Sequence, residues 1–262
     1  MLEFVQRGLA DIGAALKLRG LGWALASEDI ADSHRRTMLG PVWPLLNYLL
    51  FVGTLLLIFG QGVSSLNYTA YVASGMLVWL FINETLSMSS SLFLREQGFI
   101  KGTVLPISLY VMRQTLVTTM RSFYALLGAV PILLWSGIEI TPALLSVVPA
   151  VILLTFTAPA VAVIFGVTGA FFRDFQYIVG NAMRLMMFIT PVFWVHGGVG
   201  GWRGHLYHWN PLTHYIDIVR RPVVEGVVPM NSWAIALAAS MVLVVTALAM
   251  LGKFQRQIVF QL

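Results

Sequence analysis

The sequence predicts an all-α integral membrane protein with six transmembrane helices, an N-terminal amphipathic interface helix, and external re-entrant helices between spans five and six. Three observations lead to this fold class. Of the 262 residues, 58% are hydrophobic and only 10% are charged, and the mean hydropathy is +0.82. A helix rises about 1.5 Å per residue and a bilayer core is about 30 Å thick, so a span needs roughly 20 apolar residues. Six apolar runs of about this length occur along the chain.

The predicted spans are continuous apolar runs, and the short segments between them hold most of the charge. Helices are expected because a backbone exposed to lipid must satisfy its own hydrogen bonds. We therefore predict a cytoplasmic amphipathic region over residues 1–40 and a six-helix transmembrane domain over residues 41–262. The predicted spans are residues 41–59, 71–91, 108–135, 143–170, 177–195 and 233–251.

Basic residues indicate how these spans are oriented, because cytoplasmic loops carry an excess of Lys and Arg. Such residues precede the first span and follow the second, fourth and sixth spans, whereas the first two loops on the other side have none. Six spans then place both termini in the cytoplasm. The net charge of +5 is explained by this bias, without any binding to nucleic acid.

The region before the first span is predicted to contain two short helices. Apolar residues recur every three or four positions over residues 2–18, opposite a charged face, which is typical of a helix lying in the membrane interface. Gly20 and Gly22 are expected to break the chain, and Ser27 can cap the second helix.

The loop over residues 94–106 is charged and short, yet it contains an apolar cluster of Phe99, Ile100, Val104 and Leu105. An exposed apolar cluster in a cytoplasmic loop favours docking onto another protein. Packing of the same residues against lipid headgroups is the alternative.

Polar residues also occur inside the predicted spans. Glu84, Ser87 and Ser91 follow helical spacing, and Arg121 and Arg184 lie in the third and fifth spans. A charge at mid-bilayer costs on the order of 3 kcal/mol, so each needs a partner or water. Two compatible interpretations stay open. One is a hydrated path between helices, and the other is a salt bridge from Glu84 to an arginine at 113, 121 or 184.

Residues 196–231 form the longest external segment. Asn210 and Pro211 open a short helical stretch over 212–221, which Pro222 is expected to end. About ten residues are too few to span a bilayer, so this piece is predicted to be interfacial or re-entrant. Four histidines lie nearby among Trp and Tyr, but no carboxylate or cysteine completes a ligand set, so no metal site is predicted.

Several enzyme signatures are missing from the sequence: the G-x-x-x-x-G-K-[ST] phosphate loop, the G-x-S-x-G elbow and the H-E-x-x-H pair. If the protein uses ATP, another chain must bind it. Cysteine is also absent, which excludes disulfides and thiolate metal sites.

Four motifs, in order along the chain, resemble those of the permease subunits of type-two ABC exporters for polysaccharide, the O-antigen and capsule exporters. The motifs are the basic-to-Trp stretch 35–43, the loop 98–106, the residues 172–175 and 190–194 that bracket the fifth span, and the segment 209–226. The resemblance covers essentially the whole chain.

This resemblance implies a complete assembly in the bacterial inner membrane. Two copies of the chain would form a homodimer and pair with two copies of a separate ATPase that uses ATP and Mg²⁺, while this chain itself binds no cofactor. A lipid-linked polysaccharide, most of all O-antigen, would cross at the dimer interface. The implied ATPase-coupling residues are Gly98, Phe99, Ile100, Lys101, Val104, Leu105 and Pro106. The implied residues for glycan stacking or the external gate are Phe193, Trp194, Trp202, Trp209, Asn210 and Pro211.

Alternatives to this function remain at the level of sequence. Capsular polysaccharide or teichoic acid could be the cargo, or a type-two ABC permease could expel a small molecule or lipid. The aromatic residues could be interface anchors instead of glycan contacts. A membrane-embedded glycan enzyme would need clustered acids at one membrane depth, which the sequence does not show.

Overall fold

The computed structural model describes residues 2–34, 38–60, 67–195 and 201–261. The regular structure within these ranges is helical, as predicted. Arg35, Arg36 and the glycine-rich turn at 197–200 lie outside the described residues. The helices are α1 (Leu2–Lys17), α2 (Arg19–His34), α3 (Trp43–Phe59), α4 (Tyr68–Ser89), α5 (Leu92–Arg95), α6 (Gln97–Gly102), α7 (Ile107–Trp135), α8 (Val147–Phe171), α9 (Phe175–Ile189), α10 (Trp202–Trp209), α11 (Pro211–Val224) and α12 (Met230–Gln261).

Three of the described helical segments are long and apolar enough to cross a membrane: Ile107–Trp135, Pro142–Phe171 and Met230–Gln255. The second includes a 3-10 turn that leads into α8. α3 is apolar but has only 17 residues. The all-α membrane fold is therefore confirmed, whereas the count of six spans stays a prediction.

The fifth predicted span is shorter than expected. Residues 177–195 were expected to be helical, but α9 ends at Ile189 and Thr190 is extended, with ψ 136°. Pro191 explains this end, because the residue before a proline is disfavoured in the helical region. With 15 residues, α9 is about 22 Å long, less than a bilayer core of about 30 Å.

α1 forms over the predicted residues and packs across the last part of α12. A Cβ at Gly8 would press on the carbonyl of Leu248, and one at Gly252 would overlap the carbonyl of Phe4, so both glycines permit close helix contact. Asp11 accepts a hydrogen bond from the backbone N–H of Ser108 at the start of α7. The start of α7 and both ends of the chain therefore lie at one end of the molecule, called here the terminal end.

α2 differs from its prediction. The helix runs unbroken from Arg19 through the glycines, and only Leu18 separates it from α1, so Ser27 lies inside the helix and does not cap it. A Cβ at Gly22 would overlap the side chain of Met112 in α7. This glycine therefore serves close packing of α2 on α7, and does not break the chain.

α7 extends beyond the membrane core at the terminal end. Its 29 residues make a helix about 43 Å long, against about 30 Å of hydrocarbon. The first turns carry Arg113 and Gln114 and pack against α2. The excess length is thus a polar extension that connects the spans to α2 and the 92–106 segment.

α11 lies in the interior of the bundle, as predicted for a re-entrant helix. Each of the residues from Thr213 to Arg220 is buried, and the helix packs against α4, α8 and α12. Tyr215 hydrogen-bonds to Ser240 at 2.6 Å, well inside α12. Pro222 does not end the helix, which continues to Val224 although the proline removes one hydrogen bond from its last turn.

Candidate functional site

The 94–106 loop folds into a short helical segment with one inward and one outward side. Phe99 is 41% exposed and Val104 is fully exposed, but Ile100 is only 4% exposed and packs with Phe93 and Tyr110. The predicted exposure of Ile100 is therefore wrong, because successive residues of α6 point about 100° apart. Gly98 and Lys101 are exposed, whereas Leu105 and Pro106 are half-buried. The outward apolar patch consists of Phe99 and Val104.

Arg113 connects this segment to α2. Its Nε and Nη2 donate to the two carboxylate oxygens of Asp29, both at 2.6 Å, and its Nη1 donates to Oε2 of Glu96 at 2.8 Å. The bidentate fork fixes orientation as well as distance. Since Glu96 joins α5 to α6, one guanidinium holds α2, α7 and the 92–106 segment together.

The salt bridge predicted for Glu84 is confirmed, with Arg121 as its partner. Nη1 of Arg121 donates to Oε1 of Glu84 at 2.8 Å, and Nη2 donates to Ser33 at 3.2 Å. The carbonyl of Ser87 in α4 accepts a hydrogen bond from the Ser90 hydroxyl, and the carbonyl of Ser91, just before α5, accepts one from the backbone N–H of Arg95. We call Asp29, Glu84, Glu96, Arg113 and Arg121 the terminal charge cluster.

A polar cavity of about 260 Å³ adjoins the terminal charge cluster. Arg95 lines it and donates to Oε1 of Gln114 at 2.6 Å. Burial lowers the pKa of Arg95 from its ordinary value. The salt bridge between Glu84 and Arg121 and a water-filled space beside it can therefore exist together.

Arg184 does not join the terminal charge cluster. It lies on the exposed face of α9, and among the described residues it hydrogen-bonds only to Asn181, at 3.4 Å. Apolar Leu185 and Phe188 share that exposed side, while Val179 and Met183 face the bundle. α9 therefore presents a mixed apolar and cationic surface to its surroundings.

Beyond α9 the chain continues without helix, and side chains from α4 and α11 bind its carbonyls. Nη1 and Nη2 of Arg220 donate to the carbonyls of Pro191 and Val192 at 2.6 and 3.0 Å. Tyr68 donates to the carbonyl of Phe193 at 2.8 Å, and Tyr71 donates to that of Trp194 at 3.0 Å. We call these three side chains and the carbonyls of residues 191–194 the carbonyl clasp.

Arg220 is the central member of the carbonyl clasp. It is 2% exposed, and among the described residues no carboxylate lies within salt-bridge distance. Its guanidinium carbon lies 3.9 Å from the ring centroid of Tyr71. A Cβ at Gly75 would overlap the guanidinium, so the glycine in α4 provides its space.

The start of α11 is fastened to its neighbours by a second group of polar side chains. Asn210 accepts from the backbone of Leu212, as a helix cap does, and donates to Oγ1 of Thr190 at 2.8 Å. Tyr207 donates to the buried carboxylate of Asp217. Burial raises the pKa of Tyr207, and the neighbouring charge of Asp217 raises it further. Pro211 occupies the first turn of α11, where its missing N–H costs nothing.

The four predicted glycan-stacking residues separate into two groups. Phe193 is 8% exposed and packs against the rings of Phe59 and Phe188, so it cannot stack on a sugar in this conformation. Trp194 is half-buried, and its Nε1 donates to the carbonyl of Phe188 at 2.9 Å. Trp202 and Trp209 are 72% and 83% exposed. Since they are two helical turns apart, they share one face of α10.

Sequence reasoning missed the partners that complete both regions. It did not single out Asp29 and Glu96 as partners of Arg113, or Tyr68 and Tyr71 as donors to carbonyls. The available signal was Arg220 itself, a basic residue in the short stretch that is predicted to be interfacial or re-entrant.

The fold and these sites define a helical multi-pass membrane protein with a re-entrant helix and a polar terminal end. The family model of the ABC-2 type transporter matches residues 21–223, and the chain belongs to that membrane protein family. Two proteins named O-antigen export system permease protein RfbA, both of Klebsiella pneumoniae, are 22% and 24% identical to it, each over 88% of this chain and 90% of the relative. A third protein of that name, from Myxococcus xanthus, is 24% identical over 91% of this chain and 94% of its own length.

Proposed function

We propose that this chain is the permease subunit of an ATP-driven exporter that moves O-antigen, as a lipid-linked polysaccharide, across the bacterial inner membrane. The family membership and the names of three relatives over most of their length support this function over efflux of a small molecule. Members of the family work with an ABC ATPase. In our proposal two copies of this chain pair with two ATPase subunits, which bind ATP and Mg²⁺.

The observation in the structure that most supports transport is the exposed arginine on α9. Arg184 lies in the middle part of a helix whose exposed side is otherwise largely apolar. A lipid-facing arginine at the bilayer centre costs roughly 3 kcal/mol or more, so such residues face protein or water. We infer that a second copy covers this side of α9. The two Arg184 side chains would then line a shared polar path, where guanidinium groups can donate to sugar hydroxyls.

The outward patch of Phe99 and Val104 is the proposed ATPase contact. It lies at the terminal end, which the excess of Lys and Arg assigns to the cytoplasm. Gly98 and Lys101 border the patch, whereas Ile100 supports it from within. Arg113 would pass movement of the patch to α7 and α2, since it bonds to both sides.

The exposed tryptophans on α10 are the proposed glycan contacts at the opposite, external end. Trp202 and Trp209 offer two large aromatic surfaces on one helical face. Sugar C–H faces pack well on such surfaces. Trp194, Asn210 and Pro211 belong to the proposed gate next to them. Anchoring in the membrane interface is the competing role of the two tryptophans.

Cells that carry the glycan, this chain and its ATPase provide the test of the proposed path. Arg184→Glu is expected to abolish glycan at the cell surface and to leave the lipid-linked glycan on the cytoplasmic side, while the permease still binds its ATPase. Leu185→Gln, on the same exposed side, is the matched control and should keep most export. Full export by Arg184→Glu would refute the α9 path. Drug sensitivity of cells lacking the chain, without glycan accumulation, would instead favour small-molecule efflux.

A further inference from the structure

The backbone carbonyls that follow α9 accept hydrogen bonds from side chains of other helices. Carbonyls in a helix or sheet have backbone partners, but those of residues 191–194 lie outside regular structure. An unsatisfied carbonyl in a dry interior costs several kcal/mol. Each of these four successive carbonyls accepts a hydrogen bond from a side chain of α4 or α11.

Arg220 is suited to this task in a way that other side chains are not. Its planar fork presents two donors, which meet the adjacent carbonyls of Pro191 and Val192 at the same time. The flat face of the guanidinium lies over Tyr71, and Gly75 leaves the space beside it. A lysine would offer a single point charge without the fork or the stack. The site is therefore shaped around an arginine.

The carbonyl clasp lies next to the proposed path, at the external end of α9. The clasped residues continue directly from α9, which carries Arg184, and they include Trp194. Thr190, the residue just before them, accepts a hydrogen bond from Asn210 at the start of α11. Movement of α11 would thus shift the outer end of α9 through two sets of contacts, the bond from Asn210 to Thr190 and the bonds from Arg220 to the carbonyls.

We propose that Arg220 is the positioning residue of the external gate: it holds residues 190–194 in their resting place, and transport requires its release. This inference rests on the proposed path along α9. Because the segment is held by side chains and not by regular structure, its release breaks no helix. The segment can therefore move while α4 and α11 stay folded.

Single-cysteine labelling tests the proposal directly, because the natural chain has no cysteine. Val195→Cys, next to the clasp and half-buried, reports on the segment in right-side-out vesicles that contain the permease with its ATPase and are prepared with or without enclosed ATP. A membrane-impermeant maleimide should label it slowly at rest and faster with ATP. In Arg220→Lys, labelling without ATP should rise by on the order of tenfold, as expected for loss of a hydrogen bond to a charged group, and should no longer respond to ATP.

Two controls separate release of the segment from general loosening. Arg221→Lys keeps the charge at the neighbouring position, where the side chain is partly exposed and pairs with Glu225 at 2.7 Å, and labelling should not change. Ile140→Cys, which is 86% exposed in a different loop, should be labelled equally with Arg or Lys at position 220. Tyr71→Phe removes one hydroxyl and keeps the ring, so it should raise labelling by a smaller factor even if Arg220→Lys does not fold.

The outcomes distinguish the two claims. Unchanged labelling of Val195→Cys in both Arg220→Lys and Tyr71→Phe overturns the clasp, even if the chain exports glycan. Raised, ATP-independent labelling supports the clasp, even if the cargo proves to be something other than a glycan.

Discussion

The terminal charge cluster and the carbonyl clasp each depend on an arginine, but they use it in opposite ways. Arg113 binds two carboxylates at a partly exposed site, where its own side chain is 18% exposed and that of Asp29 is 33% exposed. Arg220 is 2% exposed and donates to backbone carbonyls. The first arrangement joins separate helices where water still reaches, and the second satisfies irregular backbone where water does not. Breaking the first should mainly disturb coupling between parts, whereas breaking the second should disturb the structure itself.

The largest loss of stability is expected for Arg220→Met. It removes both donors of the fork, so the carbonyl of Val192 loses its side-chain donor and that of Pro191 keeps only the long contact with the Tyr71 hydroxyl at 3.4 Å, at about 1–3 kcal/mol each, or about 2–6 kcal/mol together. The melting temperature of the purified protein in detergent should fall clearly. Arg221→Met is the control, since its helical pair with Glu225 is worth about 0.3–0.5 kcal/mol. Equal melting temperatures for the two variants would show that the clasp contributes nothing.

Arg113→Gln should have a smaller effect on stability and a larger one on coupling. The partly exposed carboxylates of Asp29 and Glu96 regain water, so the cost stays at about 1–2 kcal/mol, below the 3–5 kcal/mol of a fully buried pair. We expect ATP hydrolysed per glycan exported to rise. Arg113→Lys keeps a positive charge beside both carboxylates and should retain part of the coupling, and an unchanged ratio in Arg113→Gln would argue against transmission through Arg113.

The contrast also predicts different responses to salt. Glu84→Gln should cost up to about 1 kcal/mol at low salt, because both side chains of the pair with Arg121 keep 23% exposure. The Debye length falls from about 10 Å at 0.1 M to about 3 Å at 1 M, so this cost should shrink at high salt. Melting curves at both concentrations measure it. The cost of Arg220→Met should not change with salt, and a parallel fall of both would remove the distinction between the two regions.

Phe99→Asp should have the smallest effect on folding. Its side chain is 41% exposed, so stability should change by within about 1 kcal/mol, while retention of the ATPase on the purified permease should be lost. Ile100→Asp is the matched contrast. It places a charge in a site that is 4% exposed and should reduce the yield of folded protein. Normal ATPase retention by folded Phe99→Asp would count against the docking patch.

The sequence predicted the parts of this molecule that depend on local pattern. Apolar runs and the short helix after Asn210 gave the all-α membrane fold and the re-entrant helix, and the need to compensate Glu84 gave its salt bridge. The contacts that define the clasp join residues far apart in the chain, such as Tyr71 and Trp194 at a separation of 123 residues. A single sequence contains no signal for such pairings.

Local errors had local causes. The apolar pattern predicts a helix as far as residue 195. The helix ends at Ile189 because Pro191 disfavours the helical conformation at Thr190. The apolar cluster predicted in the 94–106 loop counts Ile100 among its exposed residues, whereas the six-residue helix α6 gives Ile100 an inner side. The sequence predicts a break at the glycines near residue 20, but Gly22 permits close packing of two helices.

The central claim is that this chain moves a glycan when, and only when, a partner ATPase hydrolyses ATP. The most direct measurement uses inverted vesicles that contain the purified permease, its ATPase and a lipid-linked O-antigen. It follows the fraction of glycan that enters the vesicles and is thereby protected from a glycan-degrading enzyme added outside. The account predicts ATP-dependent protection that is lost without the ATPase and in Arg184→Glu. Protection without ATP or ATPase, or none with the complete system and a suitable glycan, would contradict it.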